Sequence, residues 1–341
     1  MLAADGLVNG VAFSPADPEV LAVASGDLQL WDASRHRPLG PAVTVASTSP
    51  GGSAFSPSGS VLAAGFLDGT LRMYRVTAAG SLVSAGPPQQ ASKTGYVENV
   101  AYSPNGRLVA TADDDYTVRL WDVTDPAHPR ELATLGGFGS YVFSVASNRA
   151  GTMLAASSGD HTARLWNITH PARPEPLGGP LTGPASTAYS VAFDPARPVL
   201  AVGSADRTVW LWNIADPAHP QRLGRPLTGP ASYVYSIAFN RAGTMLAAGS
   251  TDDTVWLWQV TDPGRPVPLA TLTGPTDHVY TVAFSPRGSV LAAGSADGSV
   301  HLWDTSTSAA ARAVCSKGGD PIDRSEWARY VPGTPYRPPC R

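Results

Sequence analysis

Six aspartates at a repeated position are the first residues whose type and spacing suggest chemistry. Each lies six residues before an aromatic residue, and they are Asp68, Asp115, Asp160, Asp206, Asp252 and Asp297. Carboxylates gathered in a ring could bind a cation, because hard metal ions prefer oxygen ligands. Each Asp could instead accept hydrogen bonds from the N–H groups of its own turn, as in Asx turns. We favour the structural turn role and predict no metal.

Histidines and cysteines offer the next candidates for a metal site. His128 and His219 lie in two copies of the loop Asp-Pro-Ala-His-Pro, and His170 lies in a related loop. We interpret them as solvated turn residues, since the copies of a repeat hold such loops far apart. Cys315 and Cys340 could form a disulfide, which would stabilise the chain by roughly 3 kcal/mol, or remain a reduced pair. A metal would need two further ligands, and the sequence has none nearby.

Motifs of the common catalytic sites are absent from the sequence. It contains no G-x-x-x-x-G-K-[ST] phosphate loop, no H-E-x-x-H zinc motif and no G-x-S-x-G nucleophile motif. We therefore predict a protein that is not an enzyme and has no cofactor.

The aromatic residues that follow these aspartates mark an internal repeat. They recur at intervals of 43, 47, 45, 46, 46 and 45 residues, at Trp31, Tyr74, Trp121, Trp166, Trp212, Trp258 and Trp303. Such a period is typical of repeat architectures, in which each unit packs only on its neighbours. Seven copies account for most of the chain.

Each copy predicts four short strands. An apolar run such as VYSIAF is followed by a turn, by a run such as MLAAGS, by a second turn and by the run that carries the aromatic residue. A fourth run ends about eleven residues later, as at Leu132 and Leu269. Alanine and β-branched residues dominate the runs, as expected of strands packed on both faces.

The repeats resemble those of the WD-repeat family over about Val8 to Asp304. The resemblance implies an all-β fold, a seven-bladed β-propeller of four-stranded antiparallel blades with the first strand of each blade innermost. We place the propeller at residues 1–316. In this fold the alternative function is an enzyme with a metal or hydrolytic site at the mouth of the channel.

One feature departs from the family pattern. Where the family often has Gly-His before the first strand, this sequence has Gly183-Pro184, Gly229-Pro230 and Gly274-Pro275. The polar network that the family histidine forms is therefore expected to be truncated. Trp210 and Trp256 lie two residues before closing tryptophans, where they could join the core between blades or form an exposed patch.

Closure of the ring and the structure of the tail are further expectations. Counting eleven residues from Trp303 predicts that Ala310–Cys315 is the outer strand of blade seven and that the ring closes by face packing alone. In the tail, residues 317–341, Asp323 and Glu326 have capping-box spacing and predict a short helix that docks on the propeller.

The final residues resemble a second group of proteins. The ending EWARYVPGTPYRPPC is similar to the tails of actinobacterial WD-repeat proteins, which often carry a STAND-class signalling NTPase upstream. This resemblance, together with the abrupt start of the chain, implies that it is the regulatory module of a longer protein.

Composition bears on the class of partner. The formal net charge is −3 with no long run of like charge, so a nucleic-acid partner is not indicated. No apolar run approaches the roughly 20 residues that cross a bilayer, and the first ten residues lack the features of a signal peptide. We expect a cytoplasmic protein without a membrane partner.

One position, at the start of the first strand of each copy, differs between the copies in a way that suggests recognition of a partner. The residue six positions before the end of that strand varies between the copies, as Leu7, Ser49, Tyr96, Tyr141, Thr187, Tyr233 and His278. In the family this position lies on the top face, beside the channel. Tyrosine is enriched in binding hot spots, so we predict that Tyr96, Tyr141, Thr187, Tyr233 and His278 bind a protein or peptide. Alternatively, each side chain packs only over its own blade.

Overall fold

The fold is built from seven short antiparallel sheets, as seen in a computed structural model that describes residues 1–306. The chain begins with β1 (Leu2–Ala3). Blades one to three then contain β2 (Gly10–Phe13), β3 (Val20–Ala24), β4 (Leu28–Asp32) and β5 (Arg37–Pro38); β6 (Pro50–Phe55), β7 (Val61–Phe66), β8 (Thr70–Val76), β9 (Leu82–Ser84) and β10 (Gln89–Gln90); and β11 (Val97–Tyr102), β12 (Leu108–Asp113), β13 (Thr117–Asp122) and β14 (Arg130–Leu135).

Blades four to seven repeat this arrangement. They contain β15 (Val142–Ser147), β16 (Met153–Ser158), β17 (Thr162–Asn167), β18 (Glu175–Pro176) and β19 (Leu181–Thr182); β20 (Ala188–Phe193), β21 (Val199–Ser204), β22 (Val209–Asn213) and β23 (Gln221–Arg222); β24 (Val234–Phe239), β25 (Met245–Ser250), β26 (Val255–Gln259) and β27 (Val267–Leu272); and β28 (Val279–Phe284), β29 (Val290–Ser295) and β30 (Ser299–Asp304). In blades two and four, two short strands share the outer position.

The predicted fold class, a seven-bladed propeller of four-stranded antiparallel blades, is confirmed. The described residues contain no helix long and apolar enough to cross a membrane. The predicted tail helix, the predicted strand Ala310–Cys315 and both cysteines lie outside the described residues.

The hydrophobic core lies between blades. Each of the seven blade interfaces has its own cluster of buried residues, as where Val118 and Leu120 of blade three pack against Val142 and Leu154 of blade four. The second strands are the most buried, and all six residues of Val199–Ser204 are buried. Their alanines and glycines let neighbouring sheets approach closely, which explains the LAAGS-like pattern.

Ring closure differs from the prediction. Leu2 pairs with Val300 and Ala3 with Ser299, so β1 adds an antiparallel strand to the outer side of β30. Leu2 is buried in the cluster between blades seven and one. The expectation that the ring closes by face packing alone is therefore wrong, because two residues suffice to form the pairing and to bury one leucine.

Candidate functional site

The predicted top-face residues are held in equivalent places by a repeated backbone hydrogen bond. In each of blades three to seven, the backbone carbonyl at this position accepts a hydrogen bond from the N–H of the residue directly after the second strand. Tyr96 accepts from Asp114 in this way, and Tyr233 accepts from Thr251. Tyr96, Tyr141 and Tyr233 are 47%, 47% and 49% exposed. His278 is exposed and Thr187 is half-buried.

A β-bulge follows each of these positions in blades three to seven. In blade six, Val234 pairs with Ser250 and Ser236 pairs with Gly249, so Tyr235 has no partner in the ladder. The same shift leaves Glu98, Phe143, Tyr189 and Tyr280 unpaired in their blades. A bulge redirects the side chain of the extra residue. All five of these residues line the mouth of the central channel.

Aromatic rings from five blades touch one another in an unbroken series around this mouth. We call the series the aromatic arc, and it consists of Tyr116, Tyr141, Phe143, Tyr189, Tyr233, Tyr235, Tyr280 and His278. Its shortest contact is the stacked pair Tyr189 and Tyr235, with ring centroids 4.5 Å apart. The arc brings together three predicted residues, namely Tyr141, Tyr233 and His278. Tyr96 and Thr187 form none of these ring contacts.

A series of interblade hydrogen bonds follows the arc. The residue after each bulge accepts a backbone N–H of the next blade: Ser144 from Val191, Ser190 from Ile237, and Ser236 from Val282. Asn99 and Thr281 do the same for Val145 and Val11. These bonds tie the innermost strands from blade three through blade seven to blade one, so the blades that carry the aromatic side chains are firmly connected.

The channel mouth encloses a cavity of about 460 Å³ to which all seven blades contribute. At the bulge position, blades one and two have Asn9 and Gly51 in place of an aromatic residue. Gly10, Gly51 and Gly52 form the wall on this side, and a Cβ atom on Gly10 would come within 2.8 Å of the Gly51 carbonyl oxygen. The cavity is therefore asymmetric, with small residues on one side and large rings on the other.

Glu98 is the ionisable carboxyl group among the residues that line this cavity. Burial and the nearby charge of Asp114 raise its pKa to about 7. Within residues 1–306 no hydrogen-bond or ion-pair partner faces its carboxylate. Burial raises the pKa of both Tyr189 and Tyr235. Electrostatic repulsion adds to the shift, from Tyr233 at Tyr189 and from Glu98 at Tyr235, so both phenols stay neutral.

The turn aspartates lie away from the channel mouth and bond to backbone. In Asp160, Asp206, Asp252 and Asp297, one carboxylate oxygen accepts the N–H of the residue two positions later. The other oxygen accepts an N–H about 21 residues upstream, as Asp206 does from Ala185. Burial opposes the charge of Asp297, but hydrogen bonds from Ser299 and Thr276 outweigh it and lower the pKa to about 2.

Aromatic rings pack against the glycines of the Gly-Pro pairs. Trp256 stacks on Trp258 with centroids 6.0 Å apart, and a Cβ atom on Gly229 would come within 2.4 Å of its ring. Trp210 packs in the same way against Gly183, and His301 against Gly274. Trp210 and Trp256 thus pack with the interblade clusters, in agreement with the first of the two alternatives.

Blade three contains a buried ion-pair group built around Arg119. Its Asp115–Arg119 pair has counterparts in Asp68–Arg72 of blade two and Asp160–Arg164 of blade four, and the additional bond to Asp113 distinguishes blade three. Arg119 bonds to Asp113 at 2.8 Å and to Asp115 at 2.7 Å, and all three side chains are buried. Burial raises the pKa of Asp113 to about 7, although Arg119 opposes the shift. The group anchors the turn of its blade and lies outside the residues that line the cavity.

A group of three potential metal ligands also lies on the top face. Asp253, Asp277 and His278 have potential ligand atoms within 4.8 Å of one another. Among the described residues, no other group of three such side chains is this close together. Sequence reasoning missed it because the residues come from different turns. All are wholly or partly exposed, and such groups are common without an ion.

Sequence reasoning also missed the residues that line the mouth. Phe143, Tyr189, Tyr235, Tyr280 and Glu98 lie two positions after the predicted residues. The signal was present, since the repeats there read Asn9, Gly51, Glu98, Phe143, Tyr189, Tyr235 and Tyr280. The role of this position was hidden because regular alternation along a strand does not predict that its side chain faces the channel. That orientation follows only from the bulge.

Comparison with known proteins gives two matches. Six segments match the family described as WD domain, G-beta repeat, at residues 44–75, 88–122, 129–167, 176–213, 221–259 and 266–304. A stretch of 75 residues, 22% of this chain, is 32% identical to the protein named COMPASS component SWD1 of Saccharomyces cerevisiae. The match covers 17% of the length of that protein.

Proposed function

The chain belongs to the WD40 repeat family, and from this premise we propose that it is a non-enzymatic scaffold that binds a protein or peptide on its top face. The exposed tyrosines around the channel mouth carry this proposal. Tyr96, Tyr141 and Tyr233 each leave about half of a large side chain in solvent, although burial would be more favourable. A rigid ring that displays such residues suits recognition.

The matched relative supports protein partners in general terms. Its name describes it as a component of an assembly, COMPASS. We propose for this chain a partner that is a protein or peptide, neither a nucleic acid nor a membrane, and a location in the cytoplasm.

A finer version of the proposal concerns regulation. We propose that the propeller is the regulatory module of a larger signalling NTPase, in which docking of a ligand would release an upstream switch. Its support is the resemblance of residues 326–340 to the tails of such proteins. A native gene that begins at Met1 without an upstream NTPase would rule this version out.

Capture of partners from the source cell tests the scaffold function. The variant Tyr96→Ala, Tyr141→Ala, Tyr233→Ala should lose partners that the wild type retains. A matched control is Val83→Ala, Val267→Ala, Leu269→Ala, because these three side chains are equally exposed on outer strands. We expect the control to keep the partners. A photo-crosslinking residue at position 233 should capture the same protein, and one at position 269 should not.

Retention of all partners by the tyrosine variant would contradict the proposed face. Loss of partners in both variants would show that the effect is not specific to the top face, and would count equally against it.

A further inference from the structure

We infer that the channel mouth binds one cationic side chain, of Arg or Lys, from the partner, held between the aromatic arc and Glu98. The inference rests on the proposed function and specifies the chemistry of what is bound. It follows from three features of the mouth: an unpaired carboxylate, a continuous aromatic wall and an open side formed by glycines.

Charge is the first feature. Glu98 lines the cavity, and Asp114 lies near enough to raise its pKa. No Lys or Arg is among the described residues that line the cavity. Glu98 is half-buried, and its ionised carboxylate without a protein partner among the described residues makes folding less favourable, because desolvation penalises the charge. A cation supplied from outside would offset this cost.

The aromatic wall is the second feature. Tyr189 and Tyr235 stack with an angle of 23° between their planes, and Phe143 and Tyr280 extend the wall on either side. The face of an aromatic ring carries negative electrostatic potential and attracts Lys and Arg within about 6 Å of its centroid. Glu98 lies close enough to influence the pKa of both Tyr189 and Tyr235. The carboxylate and the rings therefore act on the same space.

Room for the ligand is the third feature. The bulge places a side chain at the mouth in blades three to seven, but blade two has Gly51 and blade one has Asn9. Asn9 donates a hydrogen bond to the Pro50 carbonyl and is thereby held against blade two. The cavity of about 460 Å³ thus remains open on the side opposite the arc. Its size accommodates one extended side chain and excludes a folded domain.

Short peptides test the inference without the natural partner. The probes are acetyl-Gly-Ala-Xaa-Ala-Gly-amide with arginine, lysine, citrulline or norleucine at the central position. Binding to the full chain is followed by NMR of isotope-labelled tyrosine rings, at the millimolar concentrations that detect weak sites. We expect the arginine or the lysine peptide to bind at least tenfold more tightly than its neutral counterpart and to shift the ring signals of Tyr189 and Tyr235.

Substitution of Glu98 distinguishes recognition of the positive charge from non-specific binding of the peptides. Glu98→Gln should reduce the affinity for the charged peptides at least tenfold and leave that for the neutral peptides unchanged. Glu175→Gln is the matched control, since Glu175 is an exposed carboxylate on β18. The affinity of the wild type for the charged peptides should rise between pH 5.5 and 8, as Glu98 ionises, and should stay flat in Glu98→Gln. The other groups that face this space are Asp114, Tyr189, Tyr235, Tyr280 and, beside Tyr280, His278.

Equal affinity for charged and neutral peptides, no shift with any probe, or an unaffected Glu98→Gln variant would each overturn the inference. These failures differ from failure of the proposed function. If the tyrosine variant loses its partners but Glu98→Gln does not discriminate against charge, only the cation site is wrong. If the tyrosine variant keeps its partners, the scaffold face is wrong whatever the peptides do.

Discussion

Glu98 is an ionisable residue whose charge the fold does not neutralise. Its pKa of about 7 arises from burial and from Asp114, so the folded protein holds a proton that the unfolded chain releases near pH 4.5. Below pH 4.5 both states are protonated and the residue has no effect on stability. Between pH 4.5 and 7 the unfolded state binds fewer protons, so the contribution of Glu98 becomes increasingly unfavourable. Above pH 7 the full cost is present.

We predict that Glu98→Gln is more stable than the wild type above pH 7 and equally stable near pH 4.5. Glutamine has nearly the same shape and no charge at any pH, so the difference should grow to the order of 1–3 kcal/mol. Thermal unfolding of both proteins across this pH range measures it. Because Asp113 also titrates near pH 7, the comparison must be between the two proteins at each pH. A constant difference at all pH values would contradict the prediction.

The turn aspartates use both carboxylate oxygens for hydrogen bonds within their own blade. Asp160, Asp206, Asp252 and Asp297 each tie their own turn and also the segment before the first strand of the same blade, as Asp252 does through Thr254 and Ala231. In Asp68 and Asp115 an arginine of the same blade also bonds to the carboxylate. The carboxylate oxygens are thus already occupied, which leaves these residues little capacity to bind a cation. The hydrogen bonds instead fix the segment that leads into Tyr233.

At the scale of the element, aromatic stacking helps to stabilise blade six. Gly229 has a φ of 146°, and its missing side chain leaves space for the ring of Trp256. Where the family pattern has Gly-His, this blade has Gly229-Pro230, and Trp256 packs beside this glycine. The indole nitrogens of Trp210, Trp212 and Trp256 have no hydrogen-bond partner among the described residues, so packing rather than polar bonding holds this region.

We predict that Gly229→Ala destabilises the protein by about 1–3 kcal/mol. The new methyl group would overlap the Trp256 ring, and the backbone angle at this position disfavours a side chain. Urea unfolding provides the measurement. Gly179→Ala is the matched control, since no atom lies within 4 Å of the added carbon, and it should change stability by less than about 0.5 kcal/mol.

A double substitution tests the proposed cause. Trp256→Leu removes the ring that Gly229→Ala would strike, so the two changes together should cost less than the sum of their separate effects. Strict additivity would show that the backbone angle, and not the ring, is responsible.

At the scale of the whole molecule, the ring is closed by the first residues of the chain. Leu2 and Ala3 pair with Val300 and Ser299, and the N–H of Ala4 bonds to the Gly298 carbonyl at 2.8 Å. Contacts between the two ends of the described chain, such as Leu2 with Val300, thus join blades one and seven. Each interface supports the next, so opening one interface should loosen its neighbours first.

We predict that Leu2→Asp opens the junction between blades seven and one. A charge would enter a site where the leucine is 1% exposed, at a cost of about 2–5 kcal/mol. Hydrogen exchange should accelerate in peptides that cover β30 and β2 before it does so in β16 and β17, on the opposite side of the ring. Leu7→Asp, at a 47% exposed leucine, is the control and should leave exchange in β30 unchanged. Uniform acceleration around the ring would contradict closure by a local junction.

The sequence by itself determined the architecture of this protein. Seven copies of one pattern, with alanine-rich runs and turn residues at fixed offsets, specify short strands that can bury their faces only by stacking. Repetition makes this inference strong, because an error in one copy is corrected by the other six. The position of Tyr96, Tyr141, Thr187, Tyr233 and His278 at the start of the innermost strands followed from the same register.

Tertiary structure alone decided where the side chains meet. A bulge shifts Glu98, Phe143, Tyr189, Tyr235 and Tyr280 to the mouth of the channel, and the shift is set by hydrogen bonds between neighbouring strands and blades. Ring closure by Leu2 likewise depends on a contact with the far end of the chain. The bulge depends on the register between two strands of one blade, as where Val142 pairs with Ser158, and ring closure joins opposite ends of the chain. Neither pairing register is encoded in the local pattern of one strand.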